Sequence, residues 1–166
     1  MAEKEMAVKE KVGNTGLFDF AGLYRFAHSW FRENEYGVNE DKYVEKVKGN
    51  KKDIRVEWLA MKDVSDYFKF EQKIIFSISG MAEVEVEIEK EKKKMNQGNV
   101  EVEITGTLIR DKDSKWDTSP FSRFMRDVYN KFIIPSRVDE IKNEIRNDVK
   151  SFKEQLKAFM ELSGRR

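Results

Sequence analysis

The stretch from Ser136 to Leu162 constrains this chain more than any other. Val138, Ile141, Ile145, Val149, Phe152, Leu156 and Phe159 recur at three- and four-residue steps, and nearly everything between them is charged or an amide. That spacing predicts a long helix with one narrow apolar stripe. Ser136 suits the N-cap, Asp139 and Glu140 suit the positive first turn, and Gly164 supplies a stop. A helix this polar cannot bury itself, so the rest of the chain must cover the stripe. The steps leave heptad register between Ile145 and Val149, which argues against a coiled-coil seam and for packing on the chain's own sheet.

That sheet is written in the middle of the chain. From Lys42 the apolar period changes to two: Tyr43 and Val47, then Ile54, Val56, Trp58 and Ala60, then Phe68, Phe70, Ile74, Phe76 and Ile78. Val84, Val86 and Ile88 follow, alternating with Glu83, Glu85, Glu87 and Glu89, and Val100, Val102, Ile104 and Leu108 close the block. Turns are expected at Gly49-Asn50, Asp63 to Asp66, Ser79-Gly80 and Asn96-Gln97-Gly98, the last with Gly98 in the left-handed position. Short turns between alternating runs predict an antiparallel meander. With the last hairpin at Gln97, Met95 would face Asn99 and Val86 would face Leu108. All even-numbered apolar residues would then share one face and the glutamates the other.

Helices flank this block. Asp19 caps a helix expected to reach about Tyr36, with Phe20, Leu23, Tyr24, Ala27, Trp30 and Phe31 on its apolar face and Gly37 as its stop. Ser119 and Pro120 start another, carrying Phe121, Phe124, Met125, Val128, Tyr129 and Phe132, which Pro135 ends. Before Asp19, Met6, Val8 and Val12 leave a short strand trace that Gly13-Asn14-Thr15-Gly16 is expected to break. A sheet with one apolar face needs a covering layer. The expectation is therefore a single two-layer α+β domain over 1–166. It has a meander of about five or six strands with helices on one face, and 1–16 as a short strand plus flexible segment.

Composition narrows the function classes. Charged residues make up 38% of the 166, yet the net charge is only +1. Dense charge of both signs predicts a solvated surface, and nucleic acid is not an expected partner. The absence of cysteine excludes disulfides, thiolate metal sites and cysteine nucleophiles. The charged opening stretch is no signal peptide, and the apolar run around Ile74 to Ile78 is too short to cross a bilayer, so a cytoplasmic protein without a transmembrane segment is expected. Lys and Glu richness with two prolines is a composition shared with proteins of hot habitats.

Candidate chemistry is sparse. His28, the single histidine, sits at the flank of the first helix without a visible partner for general-base work. The Glu83 to Glu89 row with Glu101 and Glu103 could hold hard cations, but alternation with valine is the pattern of a solvated sheet face. Asp111 to Ser114 is too short for a calcium loop. Lys90, Lys92, Lys93 and Lys94, and separately Lys46, Lys48, Lys51, Lys52 and Arg55, could meet phosphates, yet acids interleave both clusters and lysines also guard strand edges. No G-x-S-x-G, H-E-x-x-H, phosphate loop or dinucleotide fingerprint occurs, and no cofactor or metal site is expected.

Two residues break the apolar alternation. Gln72 falls between Phe70 and Ile74, and Gly106 between Ile104 and Leu108. A buried amide needs partners, and a strand glycine marks a bulge or a close approach. Together they suggest a pocket with one polar anchor, lined by Tyr24, His28, Trp58, Phe70, Gln72, Phe76, Gly106 and Phe152. The plainer alternative is an amide bonded to a helix with a glycine allowing curvature. The aromatic load exceeds what one small core needs, and the surplus could line a cavity or a homo-oligomer interface.

The order of strand, helix, antiparallel meander and long C-terminal helix resembles the START-like, helix-grip superfamily, over most of the chain and by order of elements alone. The resemblance implies a curved sheet gripping the last helix around a small apolar or lipid-like ligand. The leading expectation is thus a non-catalytic binding domain. A structural or assembly protein stands second, and a helix-grip enzyme using His28 or a buried carboxylate stands last.

Overall fold

The computed structural model describes residues 3–65, 67–110, 120–128 and 135–163. The strands are β1 (Glu3–Phe18), β2 (Gly37–Lys48), β3 (Lys51–Asp63), β4 (Phe68–Ile88) and β5 (Glu91–Arg110), and the helices are α1 (Phe20–Glu33), α2 (Pro120–Val128) and α3 (Pro135–Ser163). All pairings are antiparallel, in one five-stranded sheet of order β1-β5-β4-β3-β2. The α+β architecture matches the expectation: α1 and α3 cover one face of the sheet. Several expected features lie outside the described residues: Ser119, the acidic stretch Asp111 to Ser114, Tyr129, Phe132 and Gly164.

Alternation decides which face is covered. Ile54, Val56, Trp58 and Ala60 of β3, Phe68 to Ile78 at even positions of β4, and Val100, Val102, Ile104 and Leu108 of β5 all point under the helices and are buried. The stripe of α3, Val138, Ile141, Ile145, Val149, Phe152 and Leu156, closes on them. Phe152 meets Phe31 and Trp30 of α1 at ring separations of 4.5 and 4.9 Å, and Phe159 stacks on Phe26 at 4.9 Å. The aromatic surplus fills much of the space between the helices and the sheet.

The β1 edge is held by α3. On β1, Glu5 and Glu10 face the helix and meet Lys142 and Lys153, the latter pair at 3.1 Å, and Arg110 joins Glu5. Arg146 Nε donates to the Ala7 carbonyl at 3.2 Å, at a bulge between Met6 and Val8. These bonds satisfy part of an edge that would otherwise stay open. The other edge, β2, is largely exposed and carries a bulge between Glu40 and Lys42.

Four expectations on local structure are corrected. First, β1 is not broken at Gly13 to Gly16; it runs to Phe18, paired with β5 throughout. A Cβ at Gly13 would sit 3.1 Å from the Val100 carbonyl oxygen, so that glycine serves close strand approach and not a turn.

Second, the chain does not turn at Ser79-Gly80 or at Asn96 to Gly98. β4 continues through a bulge between Ser79 and Ala82, with Gly80 at φ 60°, and the hairpin turn is Glu89-Lys90, both left-handed at φ 51° and 68°. That is a type I′ turn built without its usual Asn or Gly. At Gly98 a Cβ would lie 2.9 Å from the Ser79 carbonyl oxygen and 3.0 Å from Met81 Cα. The glycine therefore admits the bulge. Consequently Val86 faces Lys93 rather than Leu108, and Met95 faces Val84 rather than Asn99.

The bulge adds one residue to β4 and so reverses the faces beyond it. Val84 shares a side with Met95, away from the helices, while Glu83 and Glu85 pair with Asn96 and Lys94 on the side that is continuous with the core face. Glu83, Glu85 and Glu87 are therefore not in one row with Glu101 and Glu103.

Third, α1 ends at Glu33, not near Tyr36. Tyr36 N–H donates to the Phe31 carbonyl at 2.8 Å and Glu35 N–H to that of Arg32 at 3.1 Å, with Glu35 at φ 67°. This is a Schellman ending with glutamate in the position that favours glycine, fastened by the Phe31 and Tyr36 rings 5.5 Å apart. Fourth, α3 starts at Pro135, so Ser136 lies inside the first turn instead of capping it. The fixed φ of proline suits the first position. Asp19 caps α1 as expected, accepting from Gly22 N–H at 3.0 Å.

Candidate functional site

The two residues that broke the alternation are neighbours. Gln72 pairs with Ala60 of β3 on one side and Gly106 of β5 on the other, and Gly106 pairs with Val8 of β1. The amide thus stands in a cross-strand row whose flanking members are the smallest side chains of the inner face. A Cβ on Gly106 would meet Val149 Cγ2 at 2.9 Å, Val8 Cγ1 at 3.0 Å and Ile145 Cγ1 at 3.2 Å. Glycine here lets α3 sit down on the sheet, and no open space lies above it.

Gln72 is fully buried, and neither its amide nitrogen nor its oxygen has a hydrogen-bond partner among the described residues. The Tyr36 hydroxyl adjoins it. That hydroxyl donates to Asp148 Oδ2 of α3 at 2.8 Å. Burial and the Asp148 charge hold the Tyr36 pKa well above that of free tyrosine, while the adjacent Gln72 amide acts in the opposite sense without reaching hydrogen-bond geometry. The Lys62 ammonium lies over the Tyr36 ring, 5.5 Å from its centre.

Outside this point a cleft of about 490 Å³ opens between α3 and the end of the β3–β4 hairpin. Glu144, Asn147 and Asp148 of α3 form one wall, Lys62, Asp63 and Val64 the other, Glu35 from the end of α1 the rim, and Phe70 the floor. Phe70 is one inward position from Gln72 along β4. The cleft offers an apolar floor, several carboxylates and one ammonium. Among the described residues no cluster of three His, Asp or Glu could hold a metal ion, and no helix is long and apolar enough to cross a membrane.

The other expected lining residues fall in two groups. Trp58, Phe76 and Phe152 are buried in the aromatic core, with Trp58 and Phe76 rings 5.0 Å apart. Tyr24 is half-buried and His28 exposed. Both reach Trp58 edge-on, at 5.0 and 5.9 Å. The structure therefore brings Phe70 to the cleft, while Gln72, one inward position further along β4, is not among its lining residues. It seats Trp58, Phe76, Gly106 and Phe152 in packed core, and places Tyr24 and His28 on the α1 side.

Glu40 was not visible from the sequence. Its Oε1 accepts both the Tyr24 hydroxyl at 2.5 Å and Trp58 Nε1 at 3.1 Å. Burial, aided by Glu40, pushes the Tyr24 pKa up to about 12. Nothing in a charged β2 strand singles this acid out; the bulge after it turns it toward the rings.

The lysine clusters are interleaved with acids as the sequence suggested. Lys94 meets Glu83 at 3.4 Å, Lys48 meets Asp53 at 3.3 Å and Lys52 meets Glu45 at 3.1 Å. On α2, Phe121, Phe124 and Met125 are exposed. Comparison with known proteins finds no matching family model, no matching curated protein and no matching solved structure.

Proposed function

We propose that the protein is a non-catalytic binding domain that holds a small, partly apolar ligand between the sheet and α3, with the Gln72 amide as its polar anchor. The observation that carries this reading is the fully buried amide, neither atom of which has a hydrogen-bond partner among the described residues. An unmet buried polar group costs about 1–3 kcal/mol, and a leucine or methionine would fill the same row without that cost. A ligand that enters by the cleft, packs on Phe70 and supplies both a donor and an acceptor offsets the penalty. The carboxylates of Glu35, Glu144 and Asp148 at the entrance favour a neutral or cationic polar group over an anion. The helix-grip resemblance implies a ligand in the same location.

Native mass spectrometry of protein purified from its own cells tests this. The expected result is a small-molecule adduct that disappears on denaturation and is absent from folded Gln72→Met. Wild-type protein without any adduct, or an adduct unaffected by Gln72→Met, would overturn the reading. The exposed aromatic face of α2 favours a second reading, pairing of two copies through that helix. Light scattering of Phe121→Ser/Phe124→Ser against wild type decides it: a wild-type dimer that the variant loses supports pairing, and a wild-type monomer at high concentration excludes it.

A further inference from the structure

A second pocket, lined by the start of α1 and by β2, shares no residue with the cleft beside α3 and has its own chemistry. Phe20, Ala21, Tyr24 and Arg25 of α1 and Tyr43 of β2 line a space of about 280 Å³. Three of its five lining residues are aromatic, with the Phe20 and Tyr24 rings edge-on at 6.3 Å. Tyr24 is fixed from behind by its bond to Glu40, which Trp58 also holds. The negative charges of Glu45 and Glu40 act on Tyr43, partly offset by Lys52, which pairs with Glu45. Electron-rich ring faces backed by carboxylates attract a cation, above all a weakly hydrated alkylated ammonium.

Arg25 would repel a simple cation. It is exposed, forms no ion pair among the described residues and lies at the rim of the pocket. A guanidinium so placed suits a carboxylate. The neighbouring β2 edge argues against a peptide as the carrier of these groups. Its bulge between Glu40 and Lys42, and Lys42, Lys46 and Lys48 along it, are the features that keep an incoming strand from pairing.

We infer that this pocket binds a small free zwitterion bearing a quaternary ammonium and a carboxylate, a betaine-type molecule. The ammonium sits against Phe20, Tyr24 and Tyr43, and the carboxylate meets Arg25. The site is independent of the Gln72 cleft and of the ligand proposed there.

The test is an NMR titration of the full chain with glycine betaine, reading the ring signals of Phe20, Tyr24 and Tyr43. Saturable shifts at those rings are expected. Two analogues separate the contributions: 3,3-dimethylbutanoate keeps shape and carboxylate but lacks the positive charge, and choline keeps the ammonium but lacks the carboxylate. Both should bind more weakly than betaine.

Tyr43→Ala should weaken betaine and choline alike, by about fivefold. Arg25→Ala should weaken betaine and spare choline. Both side chains are exposed, so the fold tolerates their loss, and the unshifted core signals verify it. Equal binding of 3,3-dimethylbutanoate would overturn the inference, as would shifts centred on Tyr36 and Gln72, or no saturation even at about 0.1 M betaine.

Discussion

The sheet has two halves that depart from simple alternation in different ways. Under the helices, from Phe68 to Ile78 and Val100 to Leu108, every inward position is apolar except Gln72 and Gly106. In the hairpin beyond the bulge, Ala82 to Gln97, alternation persists but its faces are reversed. Each hairpin irregularity has a local structural cause: Gly80 turns the bulge, Gly98 makes room for it, and Glu89-Lys90 closes the end. Under the helices Gly106 also has its cause, the approach of Val149 and Ile145. Gln72 has no hydrogen-bond partner among the described residues. A departure that the structure does not compensate is where function is best sought.

The sharpest way to break this contrast is to truncate an apolar side chain in each half and compare. Phe152→Ala opens the aromatic core between α1, α3 and the sheet and should cost about 3–5 kcal/mol in urea unfolding. Val86→Ala, on the half-exposed hairpin, should stay within roughly 0.5 kcal/mol of wild type. Comparable losses would mean that the hairpin is packed as the core is.

Gly98→Ala tests whether the bulge needs that glycine. Its new Cβ would press on backbone atoms of Ser79 and Met81, which cannot swing aside, so a cost of about 1–3 kcal/mol is expected. A neutral result would remove the explanation given for the reversed faces.

Glu35→Gly addresses the covered half at the rim of the cleft. Glycine relieves a left-handed non-glycine position and should stabilise the chain by roughly 1 kcal/mol. Loss of stability would show that the glutamate side chain does more for the fold than its backbone costs.

The smallest effect belongs to the β1 edge. A hydrogen bond from Lys142, with Arg110 assisting, holds the Glu5 carboxyl below the ordinary glutamate value of 4.5. That contribution is present above pH 4.5 and is lost as the pH falls through the lower folded value. Because Glu5 is well exposed to solvent, only a few tenths of a kcal/mol are at stake. Glu5→Gln should lower stability by that amount at neutral and alkaline pH, with the slope there unchanged, and converge with wild type as the pH falls below the folded value.

How much of this was legible follows from the physics of each signal. Ile54 to Ala60 and Val100 to Leu108 announce their strands because period two with one-sided burial has no other common meaning. Asp19 announces the start of α1 because a cap acts within three residues. The hairpin misled because Asn96-Gln97-Gly98 has turn composition while Glu89-Lys90 has none. Glycine permits a turn and equally permits close strand contact, and only the partner strand decides which. The end of α1 was hidden for the same reason, since Glu35 occupies a place that sequence rules give to glycine.

Gln72 stood out because it is polar on an apolar face. Glu144, Asn147 and Asp148 did not, because acids and amides beside an apolar stripe look like any solvated helix flank. Glu35 and Lys62 join them only through the tertiary fold.

The central claim is that the fold itself gains nothing from the Gln72 amide. Urea unfolding of Gln72→Met against wild type, both freed of ligand by refolding from denaturant, measures it directly. The account predicts a variant more stable by about 1–3 kcal/mol with an unchanged denaturant slope. A variant destabilised by a similar amount would contradict it, because the amide would then be satisfied within the protein and required by its core.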